Sequence, residues 1–177
     1  MEGKKVRIRG LERTDIDELM KWVNDPEVTK TLDHFIYPMS RGEEEKWLED
    51  RITKPDDKTK GFVIETKEGV YLGGIGLHNI DWRNRCAEVG IVIGKKEHWN
   101  RGYGTDAMMT ILDLAFNRMN LHRVYLRVYE INQAAIKSYE KCSFKKEGVQ
   151  REAFFVDGKY VDVVFMGILE EEFRGRK

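Results

Sequence analysis

A short glycine turn, Trp99-Asn100-Arg101-Gly102-Tyr103-Gly104-Thr105-Asp106, is the stretch of this sequence best suited to bind a charged ligand. The first N–H groups of a helix have no partner within the helix, and the helix dipole adds partial positive charge there. Glycines lack a Cβ and let a ligand approach the backbone closely, and Arg101 adds a full charge. The turn can therefore bind a phosphate group. A strand-to-helix turn that only needs positive φ fits the same pattern equally well.

Other kinds of site are not supported by the spacing of the side chains. No Gly-Lys-Ser/Thr follows the turn, as a P-loop requires, and no third glycine stands at the spacing of a dinucleotide fingerprint. Cys142 has no nearby histidine to activate it as a nucleophile, so a packed thiol is the better interpretation. The four histidines are scattered along the chain, and no metal site is expected.

Two predicted elements position the glycine turn. The apolar run Val89-Gly90-Ile91-Val92-Ile93-Gly94 precedes it and is typical of a buried strand. Apolar residues at helical spacing follow it and predict an amphipathic helix with one buried face: Met108, Ile111, Leu112, Ala115 and Met119. Strand, turn and helix therefore follow one another directly.

The rest of the chain predicts more strands on both sides of this unit. Alternating or apolar segments predict strands over 6–11, 62–65, 70–77, 87–94, 123–129, 152–156 and 160–166. The sequence Asp157-Gly158-Lys159 is typical of a hairpin turn. Capping signals at Thr14, Ser40 and Asn132 predict further helices. Together these patterns favour an α/β fold, with a mixed sheet and helices on both of its faces.

Composition limits the class of protein. Lys plus Arg and Asp plus Glu each number 31 in 177 residues, so the net charge is zero and no nucleic-acid partner is expected. The length suits one domain over 1–177. No apolar run is long enough to span a membrane, and no signal peptide is visible at the N-terminus. Cys86 and Cys142 lack metal spacing, which favours a reduced, cytoplasmic setting.

Four segments in order make the chain resemble the GNAT superfamily of N-acetyltransferases. They are the glycine turn over 101–107, Asn120-Leu121-His122-Arg123-Val124-Tyr125-Leu126, the segment from Asn132 to Phe144, and Glu147-Gly148 with the hairpin that follows. The sequence is most similar to the branch of ribosomal-protein N-terminal and spermidine acetyltransferases. That resemblance implies a central, mostly antiparallel, splayed sheet of about six or seven strands. Trp99 and Ser143 depart from residues that are usual in the family.

The resemblance implies acetyl-CoA as the co-substrate and no metal. Backbone amides of the turn would hold its pyrophosphate. The pantetheine arm would lie along the central strand beside Ile91 and Ile93, where the sheet must splay. Asn132 would bond the pantetheine, and a helix N-cap is an equally good role for it. The implied pyrophosphate residues are Arg101, Gly102, Tyr103, Gly104 and Thr105.

Two residues match catalytic positions of the family. Tyr139 would protonate the departing CoA thiolate, and its alternative role is that of an aromatic residue on an apolar helix face. Glu88, on the central strand, would accept the proton of the attacking amine directly or through water, since an aliphatic amine is protonated at neutral pH. A salt bridge with Arg83 or Arg85 explains Glu88 equally well.

The acceptor is expected on the side of the early helices. Asp33, Glu43 and Glu44 make that region acidic, which suits a polyamine such as spermidine or a basic protein N-terminus, although an ordinary solvated helix explains the same charges. The predicted function is acetyl transfer from acetyl-CoA to a primary amine in a ternary complex. The alternative is a non-catalytic module that binds acetyl-CoA. A homo-oligomer is possible, and no membrane partner is expected.

Overall fold

A seven-stranded sheet forms the centre of the protein, with the order β1-β2-β3-β4-β5-β7-β6. The structure is a computed structural model, and it describes residues 1–32, 36–54 and 56–175. Its strands are β1 (Val6–Arg9), β2 (Lys60–Thr66), β3 (Tyr71–Asp81), β4 (Cys86–Ile93), β5 (Arg123–Tyr129), β6 (Lys145–Val156) and β7 (Lys159–Leu169).

Strands β4 and β5 form the one parallel pair among the paired strands, and they soon separate. Their register holds for Cys86 with Arg123, Ala87 with Val124 and Glu88 with Tyr125, and it ends there. On its other edge β4 stays paired with β3 as far as Ile93. Among the described residues, the second half of β4 is therefore paired along one edge only, and the predicted splay of the sheet is confirmed.

Six α-helices accompany the sheet in the described part of the chain: α1 (Ile16–Leu19), α2 (Pro26–Thr29), α3 (Arg41–Thr53), α4 (Tyr103–Asp113), α5 (Gln133–Lys141) and α6 (Glu170–Arg174). The predicted capping box at the start of α3 is confirmed, because Ser40 accepts from the Glu43 amide and Glu43 binds back to Ser40. A π-helical segment, Leu114–Arg118, extends α4.

The two faces of the sheet carry separate apolar clusters. One face packs against α4, where Met108, Ile111 and Leu112 are fully buried. The other packs against the early helices through residues such as Trp22 and Leu48. Full burial of one such side chain stabilises the fold by about 1.5–3 kcal/mol. Successive strand residues point to opposite faces, so Val89 belongs to the α4 face, whereas Glu88 and Gly90 belong to the face of the early helices, which we call the acceptor face.

The structure matches the predicted elements best where alternation is strong. The prediction for β5 is confirmed residue for residue, while β6 begins at Lys145 rather than at 152. Register shifts near Gly148 interrupt the ladder of this edge strand, so its polar first half shows no clean alternation. The capping signal at Thr14 was wrong, because the Asp15 carboxylate accepts the Glu12 amide and a 3-10 turn precedes α1.

Candidate active site

The glycine turn forms an uncapped helix start at the end of β4. Gly102 is the N-cap of α4 with a φ of 83°, and no side chain caps the helix. The first intrahelical bond runs from the Asp106 amide to the Gly102 carbonyl at 3.0 Å. The amides of Tyr103, Gly104 and Thr105 therefore have no partner within the helix, and Gly102 is exposed. This arrangement suits a phosphate or diphosphate group.

The N-terminal strand is tied to this turn, which sequence reasoning missed. The Asp106 carboxylate accepts the amides of Lys4, Lys5 and Val6 at 3.0, 2.7 and 3.0 Å. The Lys5 ammonium donates to the Arg101 carbonyl at 2.8 Å and lies 6.0 Å from the centre of the Tyr103 ring. A second cation therefore stands beside the helix start. No local pattern could have revealed it, because the hydrogen bond joins residues 96 positions apart.

The free edge of β4 leads from the turn toward the sheet centre. The Arg85 carbonyl accepts the amides of His122 and Arg123 and so faces β5. Backbone groups alternate between the two edges of a strand, so those of Val89, Ile91 and Ile93 also face β5. Pairing ends at Glu88, which leaves this edge open to an extended ligand, as the resemblance implied for Ile91 and Ile93.

Trp99 occupies a hydrogen-bonding group at the end of the free edge of β4. Its indole N–H donates to the Ile93 carbonyl at 2.7 Å. This carbonyl is therefore already satisfied, whereas both backbone groups of Ile91 remain on the open edge. The departure from the family pattern at Trp99 thus closes the end of the strand nearest the glycine turn.

Helix α5 is fastened to the glycine turn. The Thr105 and Ser138 hydroxyls lie 2.8 Å apart, and the Cys142 thiol is 3.6 Å from the Thr105 carbonyl. The Asn132 side chain accepts the Ala135 amide at 3.1 Å and its amide group donates to the Thr31 hydroxyl at 3.3 Å. The N-cap role of Asn132 is confirmed, and its contact with pantetheine stays a prediction.

Tyr139 lies seven positions after Asn132, on the same face of α5. Its partly buried ring packs against the α4-side core, together with Ile91 and Ile93, and lies 6.0 Å from the Phe144 ring. Burial raises the pKa of Tyr139 to about 12, with a smaller contribution from Cys142. The phenol is therefore protonated throughout the neutral range and can act as a proton donor.

Glu88 is held in place by two partners. Its carboxylate accepts from Arg127 at 2.8 Å and from Asn79 at 3.0 Å, and its side chain is only 14% exposed. The predicted pairing with Arg83 or Arg85 was wrong in its partner, because Arg85 instead binds Asn120 and Glu170. The ion pair itself is confirmed.

Most acidic residues of the early helices already have partners. Glu45, Glu49 and Asp50 pair with Arg41, Arg13 and Lys54 respectively. Glu43 caps α3, and the bonds from Ser40 lower its pKa. Asp33 lies outside the described residues. The acidic surface predicted from the sequence is therefore largely neutralised.

Glu44 is different from its neighbours. It is 5% exposed, and no ion pair or side-chain hydrogen bond involves it among the described residues. Burial, with a smaller contribution from Glu43, raises its pKa. It lies one turn before Leu48, which packs on the acceptor face. A buried carboxylate without a partner favours a cation as its ligand.

Within residues 1–32, 36–54 and 56–175, no group of three or more His, Cys, Asp or Glu side chains is arranged to hold a metal ion. No helix in these ranges is long and apolar enough to cross a membrane.

Comparison with known proteins identifies the family. Residues 5–145 match the family described as "Acetyltransferase (GNAT) domain". Spermidine N(1)-acetyltransferase of Vibrio cholerae is 32% identical over 98% of both chains. The crystal structure of the Vibrio cholerae spermidine N-acetyltransferase with CoA and spermine superposes with a TM-score of 0.87, at 30% identity over 96% of this chain and 98% of that one.

A dodecameric structure of the Vibrio cholerae enzyme has a TM-score of 0.79 at 32% identity and covers 95% of both chains. These likenesses extend over nearly the whole chain, and they agree with the uncapped helix start and the open edge of β4. The chain belongs to the GNAT acetyltransferase family and is an enzyme that transfers an acetyl group from acetyl-CoA to an amine.

Proposed function

We propose that the acceptor of this enzyme is a linear polyamine of the spermidine class. Glu44 carries the proposal, since it is an acidic residue on the acceptor side that is only 5% exposed and makes no ion pair or side-chain hydrogen bond among the described residues. An alkyl ammonium group would neutralise it, and the methylene chain would suit the apolar residues around it. The spermidine acetyltransferases that match the full chain support the same class.

Acetyl-CoA would bind along the open edge and the glycine turn. The amides from Arg101 to Thr105, among them those of Gly102, Tyr103 and Gly104, would hold its pyrophosphate, and the Lys5 ammonium would add charge beside them. The pantetheine arm would follow Ile91 and the amide of Ile93, with Asn132 at the start of α5. The thioester would then lie between the separated strands, near Tyr139.

The transfer step follows from this placement. The amine nitrogen attacks the thioester carbon, a C–N bond forms, and the C–S bond breaks as the tetrahedral intermediate collapses. Tyr139 would donate its proton to the leaving sulfur. The phenol is a weak acid here, but burial also raises the pKa of a thiol, so donor and acceptor are shifted in the same direction. Glu88 would accept the proton of the amine nitrogen, directly or through water, and Arg127 and Asn79 hold its carboxylate in place.

A thiol-release assay with a panel of amines tests the acceptor. The panel contains spermidine, spermine, monoamines of equal length and short peptides with basic N-termini. We expect the highest kcat/KM for the polyamines. A preference for the peptides would show a protein N-terminus as the acceptor, and tight acetyl-CoA binding without turnover of any amine would indicate a non-catalytic module.

The assembly and location of the protein are part of the same proposal. We infer a homo-oligomer, which the dodecameric relative supports, and light scattering of the purified protein would measure its mass. The cytoplasmic setting suggested by the spacing of Cys86 and Cys142 in the sequence stays a prediction.

A further inference from the structure

Thr105 connects the glycine turn to the helix that carries Tyr139. Its backbone amide is one of the unpartnered N–H groups at the start of α4, because the first intrahelical bond is made by the Asp106 amide. Its hydroxyl and its carbonyl have partners on α5 or at the end of α5. One residue therefore contacts both the proposed diphosphate site and the helix of the proposed proton donor.

The hydroxyl of Thr105 contacts the residue next to Tyr139. Thr105 Oγ1 and Ser138 Oγ lie 2.8 Å apart, an ordinary distance for a hydrogen bond between two hydroxyls, and the pair is partly buried. Ser138 and Tyr139 are neighbours in α5, so a shift of Ser138 also moves the backbone of the tyrosine. This bond fixes α5 against the first turn of α4.

A second contact from Thr105 holds the C-terminal end of α5. The Cys142 thiol is fully buried and donates to the Thr105 carbonyl at 3.6 Å. Cys142 is the C-cap of α5, and its amide donates to the carbonyls of Ser138 and Tyr139. A thiol is a weak donor, so the hydroxyl pair is the stronger of the two links. Two contacts at different points of α5 restrict both its position and its rotation.

The placement of Tyr139 depends on the placement of α5. Within the described residues the tyrosine hydroxyl makes no hydrogen bond, so its ring is positioned by apolar packing and by the helix backbone. A proton donor acts only within hydrogen-bond reach of its acceptor, about 2.6–3.2 Å. A small displacement of α5 would therefore lower the rate of the transfer step.

We propose that Thr105 is a positioning residue that couples binding of the diphosphate to the placement of Tyr139, an inference that rests on the proposed function. The diphosphate accepts from the Thr105 amide and fixes the first turn of α4. The Thr105 hydroxyl then holds Ser138, and α5 holds Tyr139 beside the leaving sulfur. Thr105 does not touch the reacting atoms. Acetyl-CoA thereby uses binding energy from its nucleotide half to place the proton donor.

A double-mutant cycle between Thr105 and Tyr139 tests the coupling. Thr105→Val removes the hydroxyl and keeps the volume of the side chain. We expect kcat with the preferred amine to fall about tenfold, with the KM for acetyl-CoA changed less than about threefold. In the Tyr139→Phe enzyme the same substitution should change kcat less than about twofold, because the proton donor is already absent. Thr105→Ser retains the hydroxyl and should regain most of the lost rate.

Two further variants separate this coupling from a loss of packing. Ser138→Ala removes the other hydroxyl of the pair and should lower kcat as Thr105→Val does. Thr110→Val is the matched control on the same helix, since the Thr110 hydroxyl donates to the Asp106 carbonyl within α4, and it should keep the wild-type kcat. An equal fall in kcat for Thr105→Val with and without the Tyr139 hydroxyl would contradict the coupling. An equal fall in Thr110→Val would do the same.

Hydrogen exchange measures the coupling without turnover. The probe is the nucleotide half of CoA, which has the diphosphate but no pantetheine arm to contact α5. In the wild type it should slow amide exchange over 103–105 and also over 133–141, whereas in Thr105→Val it should slow exchange over 103–105 alone. Slowing of α5 in both proteins, or protection of the turn without α5 in the wild type, would contradict the coupling. If the wild type showed no protection at the turn or acetylated no amine, the proposed function itself would fail.

Discussion

The cofactor side of this enzyme consists mainly of backbone groups, whereas the acceptor side consists mainly of side chains. On the cofactor side the main groups are backbone amides at the start of α4 and backbone groups along β4, which are set by chain conformation. On the acceptor side the candidates are side chains, and most of its charges already pair with one another. A backbone site tolerates changes of side chain, whereas a side-chain site changes specificity with single substitutions.

The largest effect on kcat is expected at Tyr139, which lies between these two regions. Tyr139→Phe should lower kcat about ten- to a thousandfold with little change in the affinity for acetyl-CoA, because only the proton donor is removed. Burial raises the pKa of the wild-type tyrosine to about 12, so its ionisation should not shape the profile in the neutral range. Steady-state kinetics of both enzymes would measure this. Equal turnover at every pH would refute the donor role.

A side chain at Gly102 should block binding of acetyl-CoA to the backbone amides of the glycine turn. Gly102→Val places a β-branched residue at a φ of 83°, next to the amides of the turn, and should raise the Kd for acetyl-CoA about a hundredfold. Gly69→Val is the matched control, because Gly69 has a φ of 84° and no neighbour within 4 Å of a built Cβ. Both variants should lose similar stability, but only the first should lose binding, as isothermal titration would show. Equal loss of binding in both would contradict the site.

The variant Glu44→Gln tests whether Glu44 binds the acceptor. This change removes the negative charge and keeps the volume of the side chain. It should raise the KM for spermidine about tenfold while the KM for acetyl-CoA stays constant. Glu45→Gln, at the next position, removes a charge that already pairs with Arg41 and should have little effect. If the two variants behaved alike, Glu44 would not be the acceptor's partner.

The same variant changes how stability depends on pH. The raised pKa of Glu44 means that the folded protein holds a proton that the unfolded chain has released. This contribution favours folding at low pH and is lost as the pH rises from the ordinary value of 4.5 through the raised one. Thermal unfolding of Glu44→Gln should show a flatter dependence in this interval and a higher melting temperature at pH 7.

The smallest effect is expected at Lys5. Lys5→Gln should raise the KM for acetyl-CoA about threefold, and by less at high salt, since an exposed charge near phosphate is screened. Acetyl-pantetheine lacks the diphosphate and should be used equally well by the variant and the wild type. Lys4→Gln is the control on the neighbouring residue. If Lys5→Gln weakened the use of both thioesters equally, Lys5 would support the fold and would not contact the diphosphate.

The sequence was informative for local features and uninformative for distant contacts. Strand β5, the Ser40 capping box, the Asn132 N-cap and the glycine turn follow from patterns within a few residues, and the structure has all four. The partner of Glu88 lies 39 positions away and that of Lys5 lies 96 away. Such pairs depend on register and strand order, which alternation alone does not determine.

A crystal structure of the enzyme with bound CoA tests the central claim most directly. We expect diphosphate oxygens about 2.7–3.2 Å from backbone nitrogens between Gly102 and Thr105, with the pantetheine along the free edge of β4. A diphosphate held by side chains alone at another place on the protein, with these amides facing solvent, would contradict it.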